Sequence, residues 1–159
     1  VVRVIDGVVN ILRPGKITKE DLELAGFKVK IDGHILEDIN DDEVVLLPGM
    51  KYKHYAPKSK CIIVYSDDED KMIKKMQELE HENNNCIVLT KSSHISYFKN
   101  TIVLGDSLED ISHNIFRILR EVDRLNIDLV IIEGVSTKGL GLAIMNRLIR
   151  AANYNYIEK

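Results

Sequence analysis

The stretch Cys61-Ile62-Ile63-Val64-Tyr65 is a continuous apolar run between polar residues. A short run of this kind predicts a β-strand that is buried on both faces, as the strands of parallel sheets are. Residues 67–83 that follow are charged, and residues 86–89 form a second apolar run. The charged segment carries its apolar residues at helical spacing, at Met72, Ile73, Met76 and Leu79. The order strand, helix, strand predicts a βαβ unit with parallel strands.

The same alternation continues toward the end of the chain. Residues 101–104 and 129–133 predict two more strands, and Ser107 opens a capping-box pattern that predicts a helix between them. A last helix is expected after the turn 134–141. We therefore expect an α/β fold over residues 61–159, with a Rossmann-like, mostly parallel sheet, flanking helices and right-handed crossovers.

The start of the chain shows a different pattern. Residues 1–13 predict a hairpin of two strands around Asp6-Gly7, and residues 18–31 predict a short capped helix and a third strand. A unit of this size buries too little surface to fold alone. It also begins in mid-strand without a Met. We therefore expect residues 1–32 to be a remnant of an α/β domain in a larger protein.

The composition describes a globular chain. Hydrophobic residues make up 45% and charged residues 30% of the sequence, which excludes a disordered chain. The net charge of −3 argues against broad nucleic-acid binding, and no apolar run reaches membrane-span length, so no membrane partner is expected. Cys61 and Cys86 each open an apolar run, which is typical of buried thiols and not of a disulfide framework. Such thiols lead us to expect a reduced, cytoplasmic location.

No metal centre is predicted from the histidines or the acidic residues. Four histidines lie at no metal-ligand spacing, and we interpret them as solvated or helix-face residues. They are His34, His81, His94 and His113. The acidic run 67–70 is interpreted as negative charge on the first turn of a helix, where the helix dipole favours it.

Residues 134–141 form a glycine-containing turn between a predicted strand and a predicted helix. Backbone N–H groups at a helix start can bind an anion, which makes Gly139 and Gly141 candidates for an anion-binding turn. The alternative is that the glycines permit a tight turn and a close approach of the helix. The spacing is neither Gly-x-Gly-x-x-Gly nor a Walker pattern, so both interpretations stay open.

The segment 47–57, Leu-Pro-Gly-Met-Lys-Tyr-Lys-His-Tyr-Ala-Pro, has neither helical nor strand periodicity. Ordinary linkers avoid aromatic residues, whereas tyrosines beside Lys and His indicate a surface that contacts an anionic ligand. The alternative is a tether packed on its own domains. Arg13 ends an apolar strand, where it could form a bidentate contact with phosphate or carboxylate, or only a surface salt bridge.

Three separated blocks carry a family resemblance. Residues 8–18 resemble the end of the catalytic, YrdC-type domain of the long, two-domain form of threonylcarbamoyl-AMP synthase. Residues 48–57 are similar to the interdomain loop of that family. Residues 133–135 with 138–148 are similar to the end of its C-terminal accessory domain. Together the blocks span nearly the whole chain.

The resemblance implies three parts and one reaction. The parts are a catalytic-domain remnant in residues 1–32, an interdomain linker or lid in 33–60 and a Rossmann-like accessory domain in 61–159. The family condenses L-threonine, bicarbonate and ATP, with Mg²⁺ accompanying ATP, into threonylcarbamoyl-adenylate and pyrophosphate. The product is used to modify certain tRNAs, so tRNA is an indirect partner through downstream enzymes.

The resemblance also implies which residues bind ATP or the product. Arg13 is expected to contact an ATP phosphate, and the loop is expected to close over the nucleotide pocket. The implied loop residues are Tyr52, Lys53, His54 and Tyr55. The family often has Arg where this chain has Lys53, which keeps the charge but loses the bidentate geometry.

The family's nucleotide motif and threonine-binding residues are expected upstream of Val1, so the chain alone is expected to be inactive, and its catalytic residues stay unassigned. The alternative is a free-standing α/β module that binds a nucleotide or a protein through the turn 134–141.

Overall fold

The computed structural model describes residues 1–36 and 57–159 of the chain. The strands are β1 (Val2–Ile5), β2 (Val8–Ile11), β3 (Lys28–Ile31), β4 (Lys60–Tyr65), β5 (Cys86–Thr90), β6 (Thr101–Val103), β7 (Leu129–Glu133) and β8 (Tyr156–Glu158). The α-helices are α1 (Lys19–Leu24), α2 (Glu69–Glu82), α3 (Leu108–Val122) and α4 (Leu140–Ala151), and 3-10 helices span Gly33–Ile35 and Ser92–Tyr97. No helix of this described part is both long and apolar enough to cross a membrane.

The N-terminal strands form a three-stranded sheet in the order β1-β2-β3. β1 pairs antiparallel with β2, and β2 pairs parallel with β3. Asp6 and Gly7 join β1 to β2 with φ angles of 49° and 74°, the left-handed conformation that a two-residue hairpin turn requires. Thr18 caps α1, because its hydroxyl accepts the Asp21 N–H and the Asp21 carboxylate accepts the Thr18 N–H. The predicted hairpin and capped helix are therefore confirmed.

The remaining strands form a second sheet in the order β6-β5-β7-β4-β8. Every neighbouring pair in this sheet is parallel, which confirms the α/β fold class. The edge strand β8 was not predicted. The sequence Asn-Tyr-Asn-Tyr around its start gives no strand signal. β8 forms by pairing with β4, where Tyr156 lies beside Ile63.

Helices cover both faces of the second sheet. α2 packs on one face, in a core that includes Val64, Met72, Met76, Val88 and Ile131. α3 and α4 pack on the other face, in a core that includes Ile63, Leu89, Ile115, Ile118, Ile132, Ile144 and Leu148. The neighbours Ile63 and Val64 belong to different cores, because successive side chains of a strand point to opposite faces.

Both cysteines are buried free thiols, as predicted. Burial raises the pKa of Cys61 to about 12, and the negative charge of Asp123 adds to the increase. A thiol with this pKa is inert as a nucleophile, so Cys61 is a packing residue.

The placement of helices on both faces makes the connections diverge at the carboxyl edge of the second sheet. The chain leaves β4 toward α2 on one face, whereas it leaves the neighbouring β7 toward α4 on the other face. Open parallel sheets form a crevice where connections diverge in this way, and ligands of α/β proteins bind there.

The N-terminal sheet contacts the second unit through a small core. Ile11, Ile35 and Leu142 pack together and are all buried. The amide of Asn146 is also buried, and it donates a hydrogen bond to the carbonyl of Ile35. The first turns of α4 therefore serve as the docking surface for the N-terminal residues.

Gly141, in the first turn of α4, allows this helix to approach the preceding turn closely. A Cβ atom placed on Gly141 would lie 1.8 Å from the carbonyl oxygen of Ser136, which is backbone and cannot rotate away. We expect Gly141→Ala to lower the free energy of unfolding by roughly 2–3 kcal/mol through overpacking. Denaturant unfolding of the purified chain measures the loss.

Gly33→Ala is the matched control, because a Cβ on Gly33 meets nothing within 4 Å. Its effect should stay within about 1 kcal/mol of zero. An equal response of the two variants would show that α4 does not pack as closely on Ser136 as described.

Candidate functional site

Arg13 follows β2, and its side chain is exposed. Within residues 1–36 and 57–159, no carboxylate lies within ion-pair distance of its guanidinium. The described residues therefore do not provide the surface salt bridge that was the alternative interpretation. An exposed guanidinium can still bind an anionic ligand in a bidentate geometry.

The loop residues Tyr52, Lys53, His54 and Tyr55 lie outside the described residues. Their assignment to ATP or product binding therefore stays a prediction.

The turn before α4 holds an anionic group that comes from the chain itself. Gly139 has a φ of +56°, and its N–H donates a hydrogen bond of 3.2 Å to the Glu20 carboxylate on α1. Hydrogen bonds from the N–H groups of Glu20 and Gly139 lower the pKa of Glu20. Gly141 is explained by the close approach to Ser136. Binding of an external anion at Gly139 and Gly141 stays a prediction.

A buried polar cluster that the sequence did not predict lies at the carboxyl edge of the second sheet. Its centre is Glu133, the last residue of β7, which is only 2% exposed. Oε2 of Glu133 accepts a hydrogen bond from the Thr90 hydroxyl and another, of 3.1 Å, from the Lys91 N–H. Oε1 lies 3.3 Å from the Lys91 ammonium. The carboxylate thus links the ends of β5 and β7.

The interpretation of His94 as a solvated or helix-face residue was wrong. His94 is 5% exposed, and its Nδ1 lies 3.0 Å from Oε2 of Glu133. A carboxylate can only accept, so Nδ1 carries the proton that is shared with Glu133. Nε2 lies 3.4 Å from the Glu69 carboxylate at the start of α2. The 3-10 helix buries His94 because Glu133 supplies a partner for the ring.

The electrostatics of Glu133 follow from these contacts. Burial by itself would raise its pKa, but hydrogen bonds from Thr90, the Lys91 backbone and His94, together with the Lys91 charge, bring it below its ordinary value. The carboxylate therefore stays ionised. The signal in the sequence was that Glu133 ends the otherwise apolar strand β7, while the polar residues Thr90 and Lys91 lie at the end of the apolar strand β5. Recognising it required knowledge that β5 and β7 are neighbours.

The cluster borders a cleft of about 350 Å³ at the carboxyl edge of the sheet. Tyr65, Lys91 and Asp106 line it, together with the backbone that follows β7. No group of three or more His, Cys, Asp or Glu among the described residues is arranged to hold a metal ion.

A parallel sheet with helices on both faces and a polar cleft at its carboxyl edge defines a Rossmann-like α/β protein. The protein family described as "Threonylcarbamoyl-AMP synthase, C-terminal domain" matches residues 17–153. The chain belongs to this family. The match begins inside residues 1–32, and the predicted domain boundaries stay predictions.

Curated relatives agree with this assignment. The chain is 36% identical over 152 residues to the threonylcarbamoyl-AMP synthase of Pyrococcus abyssi (strain GE5 / Orsay), covering 93% of this chain and 43% of that protein. It is 31% identical over 157 residues to the synthase of Bacillus subtilis (strain 168), covering 96% and 44% respectively. The chain thus spans less than half the length of these relatives.

Solved structures show the same relationship. The crystal structure of P. abyssi Sua5 complexed with L-threonine matches with a TM-score of 0.79 and 36% identity, covering 96% of this chain and 44% of that one. The C-terminal Sua5 domain from Pyrococcus horikoshii matches with a TM-score of 0.51 and 33% identity. That match covers 65% of this chain and all of the other.

The Glu133 cluster yields a prediction on stability. Glu133→Gln keeps the side-chain shape but removes the charge that Lys91 and His94 face, so we expect a loss of about 3 kcal/mol at pH 7. The folded-state pKa is lowered, so this contribution is complete above the ordinary value of 4.5 and is lost as the pH falls through the folded-state pKa. The difference between wild type and variant should therefore shrink in acid.

Glu121→Gln serves as the control, because Glu121 is exposed and forms a surface ion pair with Arg117 one helical turn away. Its effect should stay within about 0.5 kcal/mol. Urea unfolding at pH 7 and in acid compares the three proteins. A Glu133→Gln variant as stable as wild type at pH 7 would contradict an ionised, hydrogen-bonded Glu133.

Proposed function

We propose that this chain is the C-terminal portion of an L-threonylcarbamoyladenylate synthase, a nucleotidyltransferase that condenses L-threonine, bicarbonate and ATP and releases pyrophosphate. Membership of the family supports the proposal, as does the alignment of nearly the whole chain with two synthases. The structure of the P. abyssi relative complexed with L-threonine supports threonine as a substrate. The product would be passed to enzymes that modify tRNA, so the tRNA contact is indirect.

Arg13 would bind an ATP phosphate in this reaction. Its guanidinium is exposed at the end of a paired strand, and no described carboxylate neutralises it. Such a group matches the geometry of phosphate oxygens and can contact two of them at once. Mg²⁺ would enter with ATP, because it is held mainly by substrate phosphates in most nucleotide sites.

The segment containing Tyr52, Lys53, His54 and Tyr55 would close over the nucleotide. Tyrosine rings would cover the adenylate, while Lys53 would face its negative charge. Closure would exclude water, which protects a labile carbamate and strengthens the charge pairing. A cytoplasmic location fits this role and the two free thiols.

The chain alone should not catalyse the reaction. Pyrophosphate release is measured with ATP, threonine, bicarbonate and Mg²⁺, using the 159-residue chain and a longer protein that contains it. We expect turnover only from the longer protein, because the nucleotide and threonine motifs of the family are not found in this sequence. Robust turnover by the 159-residue chain would contradict the proposal.

In the longer protein, Arg13→Ala should lower the rate of synthesis by on the order of 10²-fold, because a positioning contact on the nucleotide is lost. Tyr52→Ala and His54→Ala should act in the same direction. All three should leave the unfolding temperature unchanged, because Arg13 is exposed and the sequence around Tyr52 and His54 has no apolar core pattern.

Arg120→Ala is the control, because Arg120 is exposed on α3. Its activity should equal wild type. Full activity of Arg13→Ala would remove Arg13 from the site, and losses that follow lowered stability would make the residues packing elements.

A further inference from the structure

The cleft at the carboxyl edge of the second sheet has no role in the function proposed above. It lies where the connections after β4 and β7 leave toward opposite faces, and both Tyr65 and Gly134 line it. A Cβ on Gly134 would lie 3.0 Å from the Cβ of Tyr65, so the two strand ends are tightly packed at the floor. The volume of about 350 Å³ is that of a site for a small organic molecule.

The cluster beside this cleft contains more polar groups than the sheet needs. The other residues of β7 are apolar, and a fifth apolar residue in place of Glu133 would complete the core at lower cost. Instead, a buried carboxylate holds the Lys91 ammonium at the cleft. Oε1 of Glu133 is buried and accepts no hydrogen bond from any described residue, although Lys91 faces it at 3.3 Å. Glu133 itself does not line the cleft, so its contribution there is to hold the Lys91 ammonium at the cleft wall.

The other charged groups of the cleft are carboxylates in fixed positions. Asp106 accepts hydrogen bonds from the N–H and the hydroxyl of Ser92, at 2.9 and 2.7 Å. Asp67 accepts a hydrogen bond of 2.6 Å from the Tyr65 hydroxyl. Glu69 also lines the cleft. Three carboxylates and one ammonium therefore line the cleft, and that ammonium is already paired with Glu133.

The excess of carboxylates in the cleft disfavours phosphate groups and favours hydroxyl groups in a ligand. Phosphate groups would meet the repulsion of three carboxylates. They would also find little help from the adjacent helix starts, because the Asp68 and Ser107 side chains already cap α2 and α3. Hydroxyl groups, in contrast, donate hydrogen bonds that carboxylates can accept. Acidic side chains accept hydrogen bonds from ribose hydroxyls in this way in dinucleotide-binding sheets. Leu108 and the Tyr65 ring, which are half-buried in the lining, can cover a flat ring.

We propose that the cleft between the ends of β4, β5, β6 and β7 binds a ribonucleoside without phosphate. Asp106 accepts hydrogen bonds from the ribose hydroxyls, and the base lies against the apolar lining. Every residue assigned to this site lies between Tyr65 and Ser136, and none of these residues is assigned to the synthase reaction above.

Binding is tested on the 159-residue chain by calorimetry and by NMR with adenosine, guanosine, cytidine and uridine. We expect at least one to bind with a dissociation constant below about 1 mM. The 2′,3′-dideoxy form should bind about tenfold more weakly, because charge-assisted hydrogen bonds are lost. The 5′-monophosphate should also bind more weakly than the nucleoside.

Asp106→Asn should weaken nucleoside binding by about tenfold, since a neutral amide replaces the charged acceptor. Glu82→Gln, the same chemical change at an exposed position on α2 outside the cleft, should bind like wild type. Thermal unfolding verifies that both variants fold.

Three results would overturn the proposal. They are no binding by any nucleoside at millimolar concentration, binding of the monophosphate as tight as that of the nucleoside, and unchanged affinity of a folded Asp106→Asn variant. The synthase assay reports on none of these outcomes, so the two proposals can fail separately.

Discussion

A single buried carboxylate determines the carboxyl edge of the second sheet. Glu133 is 2% exposed, and it is surrounded by the Thr90 hydroxyl, the Lys91 backbone and ammonium, and the His94 ring. Burying a charge is costly unless it is paired and hydrogen-bonded, so these groups are fixed by the carboxylate and fix it in turn. This constraint links the ends of β5 and β7, positions the 3-10 helix Ser92–Tyr97 and holds Lys91 at one wall of the cleft.

The link between the N-terminal residues and the second sheet has the opposite character. It is made by a few contacts with the first turns of α4: the small apolar core of Ile11, Ile35 and Leu142, the hydrogen bond from Asn146 to Ile35, and the hydrogen bond from Gly139 to Glu20. The last of these is exposed and individually weak. The close approach of Gly141 to Ser136 places this helix start, so a backbone requirement for glycine determines where the N-terminal residues dock.

Local chemistry explains what the sequence predicted well. Continuous apolar runs marked β4, β5 and β7, and capping boxes at Thr18 and Ser107 marked two helix starts to the residue. The missed features depend on long-range pairing. β8 forms only against β4, and His94 is buried only because Glu133 lies opposite, 39 residues away in sequence. Histidine spacing along the chain carries no information about such a partner.

The ionisation of Glu133 is the most direct test of this account. NMR titration of its side-chain carboxyl carbon in the folded chain reports the pKa of that group alone. The account predicts a pKa below the ordinary value of 4.5, because hydrogen bonds and the Lys91 charge outweigh the cost of burial. A pKa above 4.5 would mean that the cost of burial outweighs the hydrogen bonds and the Lys91 charge, which would contradict the account.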